Sequence, residues 1–148
     1  MSAFVTASAE IRATRAQVFG VASLPARCIE WLWSPALIGD VGATRDLPDG
    51  TRQNVVADGN KLRDRVDSAE LDAVVIDSEL RPRSKDLPGR HLTYTLALTP
   101  GAGTTKAELS IAFVRDEPKG RIAQRKWRRH AEECLRRLAS LSEIDAPE

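Results

Sequence analysis

Polar and apolar residues alternate from Phe4 to Arg12, with Val5, Ala7, Ala9 and Ile11 on one side and Thr6, Ser8, Glu10 and Arg12 on the other. A period of two predicts a half-buried strand. Thr14-x-x-Gln17 follows it as a capping box: the threonine oxygen accepts from the third helical amide, and the glutamine reaches back to the cap. Val18, Phe19, Val21 and Ala22 then sit on a short helix. A second short helix is expected from Pro25, because proline suits a first helical position whose N–H has no partner anyway. It carries Cys28, Ile29, Trp31 and Leu32 and stops before Ser34-Pro35.

Past residue 40 the punctuation becomes that of hairpins. Pro48-Asp49-Gly50, Asp58-Gly59-Asn60 and Gly101-Ala102-Gly103 are tight-turn sequences, since Gly, Asn and Asp tolerate positive φ. They separate strand candidates near 41–46, 51–57, 61–70, 73–80, 91–99 and 104–114. The segment from Leu37 to Asp46 is only weakly strand-like. Leu92, Tyr94, Leu96 and Leu98 form one inward row, and Ala107, Leu109, Ile111 and Phe113 form the next. Pro82, Pro88 and Gly89 mark a surface loop between Arg81 and Arg90. A long helix from about Gly120 to Ser142 ends the chain, before a polar tail from about 143. Its apolar stripe reads Ile122, Trp127, Ala131, Cys134, Leu135, Leu138 and Leu141.

A chain of 148 residues fits one domain spanning 1–148. With 42% hydrophobic and 29% charged residues it has the composition of a folded globule rather than a disordered or disulfide-stapled chain. A net charge of +1 argues against a dedicated nucleic-acid binder. Cys28 and Cys134 are far apart and outside any C-x-x-C pair, which suggests two buried free thiols in a reducing compartment; a single bridge between them is the alternative. The first residues lack a basic segment followed by an apolar run, and no stretch approaches 18 apolar residues, so neither a signal peptide nor an integral membrane segment is expected and the cytoplasm is the default.

The order of elements is strand, two short helices, about six hairpin strands and one long amphipathic helix. A sheet with one apolar face and a helix with one apolar stripe must bury those surfaces against each other. This arrangement resembles the helix-grip fold of the START-related SRPBCC superfamily: α+β, with a curved antiparallel sheet of about seven strands around a C-terminal helix. The opening VTASAEIRATRAQVF, with Ile11-x-Ala13-Thr14 leading into Ala16-x-Val18-Phe19, is similar to the polyketide cyclase/dehydrase branch of that superfamily. So are Trp31 after the second short helix, the hairpin HLTYTLALTPGAGTTKAELSIAF and the ending RRHAEECLRRLASLSE. The superfamily includes lipid-transfer domains, hormone receptors and a few cyclases.

The resemblance implies an apolar cavity between sheet and helix that takes a small hydrophobic ligand without a cofactor. Strand alternation would line it with Tyr94, Leu96, Leu109, Ile111 and Phe113, and the helices with Phe19, Trp31, Trp127 and Ala131. Trp31 and Trp33 lie near Pro35, where entrances occur in this fold. Both Trp31 and Trp127 are either walls stacking on a flat ligand or ordinary core anchors.

Tyr94, the sole tyrosine, is a candidate proton donor or ligand-orienting hydroxyl; the alternative is a core ring bonded to a backbone group. Asp64 shares parity with Leu62 and Val66, which would make it an inward carboxylate, but Arg63 and Arg65 favour a solvated cluster. His91 and His130 are expected at the surface or its boundary, and no metal-ligand spacing occurs. From Lys119 to Arg137 the terminal helix has a local excess of six positive charges. That face is either solvated or able to meet nucleic acid, an anionic membrane surface or a protein partner, and the absence of interleaved aromatic residues favours the solvated reading. The favoured function is ligand binding or transport; a polyketide cyclase-like enzyme and an interaction module are the alternatives. The oligomeric state stays open, with a dimer among the options.

Overall fold

A computed structural model describes residues 3–24, 28–32, 41–46, 52–56, 61–81, 90–115 and 117–144. Strand β1 (Val5–Ile11) leads into α1 (Arg15–Ala22) and the single turn α2 (Cys28–Trp31). Six strands follow: β2 (Val41–Asp46), β3 (Arg52–Val56), β4 (Lys61–Glu70), β5 (Ala73–Arg81), β6 (Arg90–Pro100) and β7 (Thr105–Arg115). Helix α3 (Arg121–Ile144) closes the chain. The strands make one antiparallel sheet in the order β1-β7-β6-β5-β4-β3-β2. Consecutive hairpins therefore run from β2 to β7, and β1 returns to pair with the last of them. This is the α+β architecture that the alternation and the terminal stripe imply.

The local signals act where expected. Thr14 accepts from the Gln17 amide at 3.3 Å and its own amide donates to the Gln17 side chain at 2.7 Å, so the capping box starts α1. At the β6–β7 turn the Gly101 amide donates to the Thr104 carbonyl at 2.9 Å, and Gly103 takes φ +73°, where a side chain would strain the backbone. The turns at Pro48-Asp49-Gly50 and Asp58-Gly59-Asn60 fall outside the described residues.

Alternation decides what the sheet offers α3. Val74 and Ile76 of β5, Leu92 to Leu98 of β6 and Ala107 to Phe113 of β7 turn every second side chain into one core. Trp127, Ala131, Cys134, Leu135 and Leu138 meet them from α3. α3 packs along β1 and reaches β7, α1 and α2. Its far end is tied back to the edge strand, where the Arg12 amide donates to the Glu143 carboxylate at 3.2 Å.

Two expectations along α3 are corrected. Ile122 is 85% exposed and lies off the stripe. At about 100° per residue it stands about 140° around the helix from Trp127, so the two cannot share a face. His130, expected at the boundary, is 3% exposed. It follows Trp127 by three residues and precedes Cys134 by four, which is the spacing of one helical face. His91 does sit at the boundary, half-buried on the outer face of the sheet, with Nε2 2.6 Å from the Asp77 carboxylate.

Thr105 is fully buried and its hydroxyl donates to the Ala13 carbonyl at 2.8 Å, joining the start of β7 to the segment leaving β1. Thr105→Val keeps the shape and removes the donor, leaving a buried carbonyl short of a partner. Urea denaturation should show a loss of about 1–3 kcal/mol, with most of it restored in Thr105→Ser.

Candidate functional site

Between α3 and the inner face of β5–β7 the aromatic side chains form a connected series. Phe4 meets Phe113 with ring centroids 5.3 Å apart, Phe113 meets Trp127 at 4.8 Å, Trp127 meets His130 at 5.5 Å, and His130 meets Tyr94 at 5.9 Å. All four contacts are edge-to-face, the arrangement in which a positive ring edge meets a negative ring face. The series begins near the surface: Phe4 also lines a cleft of about 440 Å³ with Pro118, Gly120 and Gln124, at the start of α3.

The inner end of the series is polar. Tyr94 Oη lies 2.9 Å from His130 Nε2, both groups buried. Strand parity directs Tyr94 inward, and helix phase brings His130 to meet it. The Cys134 sulfur lies 3.6 Å from Nε2 and 3.8 Å from Nδ1 of the same imidazole. Burial, reinforced by the Arg137 charge and opposed by Glu133, lowers the His130 pKa from 6.5 to about 4. Burial likewise pushes the Cys134 thiol above its ordinary range. The ring is therefore neutral and the thiol protonated at pH 7. They do not form the thiolate–imidazolium pair that a nucleophilic cysteine needs. A neutral imidazole leaves two arrangements: Tyr94 donates to a bare Nε2, or Nε2–H donates to the phenol oxygen and the phenol donates to a second group. In both, Tyr94 is a hydrogen-bonding group held in place by His130.

Arg136 and Arg137 both pair with Glu133 on the helix surface, Arg137 at 3.3 Å. The Arg136 hydrogen bond holds the Glu133 carboxyl below the usual carboxylate range. Among the described residues no three His, Cys, Asp or Glu side chains gather as a metal site would require. Nor is any described helix long and apolar enough to cross a membrane.

The comparisons with known proteins now bear on this geometry. The family model described as polyketide cyclase / dehydrase and lipid transport matches residues 2–143. The chain belongs to that family. No curated protein is similar enough to count as a relative. Among solved structures, an uncharacterised protein from Bacillus thuringiensis superposes with a TM-score of 0.65 at 15% identity, covering 94% of this chain and 98% of its own. The protein XoxI from Bacillus cereus also reaches 0.65, at 16% identity and 95% of both chains. DynU16, a protein in the dynemicin biosynthetic locus, gives 0.62 at 18% identity over 97% of this chain and 48% of its own. At such identities these likenesses show the shared fold.

Within this family member, the residues expected to line a cavity divide by burial. Trp31, Leu96, Leu109, Ile111 and Ala131 are fully enclosed in the core, and Phe19 packs half-buried against it. Tyr94, Trp127 and Phe113 keep 2%, 5% and 7% of their surface exposed. Trp33 and the Asp64 side chain lie outside the described residues; the Asp64 backbone pairs with Arg52 and Ser78. Tyr94 is inward as expected, and its hydroxyl reaches the His130 side chain. The Cys134 thiol is free, so no bridge joins it to Cys28. His130 is the group that strand and motif reasoning missed, although its helical spacing from Trp127 and Cys134 contained the signal.

His130 makes stability depend on pH. The unfolded chain takes up a proton near pH 6.5 and the folded one only near pH 4. Within that window proton uptake favours unfolding. The contribution is complete above about pH 6.5 and lost progressively as the pH falls toward 4, on the order of 3 kcal/mol in all. Chemical denaturation at a series of pH values should show this extra loss in the parent and not in His130→Gln. A His130 imidazole titrating near 6.5 by NMR in the folded protein would contradict it.

Proposed function

We propose that this chain holds a small, largely apolar molecule between the inner face of the sheet and α3, as a binding or carrier protein. The observation that carries this reading is the Tyr94–His130 hydrogen bond, a buried polar pair set against the apolar core cluster. Small-molecule sites combine apolar and aromatic walls with a few placed polar groups. Trp127 and Phe113 supply rigid ring surface beside the pair. Leu96, Leu109, Ile111 and Ala131 form its floor, and Phe19, Trp31 and Trp33 belong to the proposed helical side. The family description, which includes lipid transport, supports the same assignment.

The test is thermal unfolding of the purified protein with a panel of fatty acids and polycyclic aromatic ketones. A true ligand at one hundred times its Kd should add about 2.7 kcal/mol of stability. Tyr94→Phe should weaken a hydrogen-bonding ligand about tenfold while the fold persists. A folded protein with no shift across the panel would overturn the proposal.

A second reading is favoured by the same phenol. Tyr94 sets a phenol O–H beside a neutral imidazole, an arrangement that suits a general acid in the cyclisation or dehydration of a carbonyl-rich chain. The family description and the biosynthetic setting of DynU16 support it. On this reading Tyr94→Phe should lower turnover of a poly-β-keto substrate by about 10²-fold or more, with binding changed far less. Asp64→Asn tests the one carboxylate candidate in the same assay, and full turnover in both variants would remove the enzymatic reading.

A further inference from the structure

Trp31 is fully buried, yet its indole Nε1 has no hydrogen-bond partner among the described residues. Among the described residues it is the one buried side-chain nitrogen or oxygen left in that condition. The rest of the interior is carefully paired. Thr105 donates to the Ala13 carbonyl, Ser142 to the Leu138 carbonyl, and Tyr94 is bonded to His130. Loose packing would scatter unpaired groups through the core; here a single donor stands out. An unpaired buried donor loses its bond to water and regains nothing, so folded proteins rarely keep one without a use.

The surroundings define what would satisfy it. An indole N–H donates and cannot accept, so the missing group is an acceptor. Trp31 belongs to the buried apolar cluster of the core. A carboxylate or phosphate placed there would be taken out of water into that cluster, which is strongly unfavourable. A neutral oxygen fits: a ketone, ester or ether on an otherwise apolar molecule. Trp31 is held on α2, a single turn too short to be stable by its own hydrogen bonds, and α2 packs against α3. Its donor is thus carried by an element whose position depends on tertiary packing.

We propose that the Trp31 indole N–H is the hydrogen-bond donor for a neutral oxygen acceptor, most simply a carbonyl, on the apolar ligand of this protein. The inference rests on the cavity reading above and adds the ligand's chemical class to it. It makes Trp31 a recognition residue where the sequence suggested a stacking wall or a core anchor.

Two probes of matched shape test it: 1-acetylnaphthalene, which carries the carbonyl, and 1-isopropenylnaphthalene, in which a CH₂ replaces the oxygen. Their affinities are measured by calorimetry for the parent and for Trp31→Phe. Volume lost with the indole affects both probes alike, so the ratio of the two affinities isolates the hydrogen bond. That ratio should fall about tenfold in Trp31→Phe. If both probes bind and the ratio is unchanged, this inference fails and the cavity reading stands. If neither probe binds the folded parent, both fail together.

Should Trp31→Phe not fold, the indole proton of the parent gives the same answer by NMR. Acetylnaphthalene should move the Trp31 Hε1 resonance downfield, and isopropenylnaphthalene should not. Equal shifts with the two probes, or a bound water already in contact with Hε1 in the unliganded protein, would overturn the proposal.

Discussion

The structure depends on one burial constraint: a long antiparallel sheet with a single apolar face must be covered, and α3 covers it. β6 and β7 each run for 11 residues and turn every second side chain inward. α3 has 24 residues, a length of about 36 Å, matched to strands of that size. Without the helix the inner rows would meet water, and without the sheet the stripe from Trp127 to Leu138 would do so. Neither surface is stable alone, so the sheet order, the return of β1 beside β7 and the Arg12–Glu143 tie all serve the same contact. The two short helices fill the side of the grip that α3 leaves open.

Placing polar chemistry inside that contact has a cost, and the fold offsets it in a consistent way. His130 and Cys134 are kept uncharged by burial, and Tyr94 and His130 satisfy each other. The charges of α3 stay on its outer face, where Glu133 is shared between Arg136 and Arg137. Neutrality decides what the interior can do. It suits hydrogen bonding to an uncharged molecule and rules out nucleophilic attack by the cysteine as it stands. The unpaired indole of Trp31 belongs to the same scheme, as a donor in a region that tolerates polar groups only when they are uncharged.

The aromatic series gives the interior a direction. From Phe4 near the surface to Tyr94 in the core, each ring meets the next edge to face. Such contacts are rigid, so the polar pair at the inner end is held by packing as well as by its hydrogen bond. A group positioned this way has little conformational freedom left to lose.

Much of the fold was legible from local pattern. Period-two alternation located β1, β6 and β7, the Thr14–Gln17 box started α1, and the Gly101–Gly103 turn separated β6 from β7, because each signal acts within a few residues. Tyr94's inward direction followed from the same alternation. The amphipathic stripe announced that α3 must cover the sheet, but not which residues at its margins would be covered. Ile122 had the chemistry of a core residue and the wrong helical phase; His130 had the chemistry of a surface residue and the right one. Residue type was outweighed by angle. The Tyr94–His130 bond joins residues 36 apart in sequence, and the isolation of the Trp31 nitrogen depends on every neighbour at once. Alternation and periodicity determine which face of an element is apolar. Only the docking of helix on sheet decides which polar atoms are buried together and which one is left without a partner, since that outcome belongs to distances between elements and not to the order of residues within them.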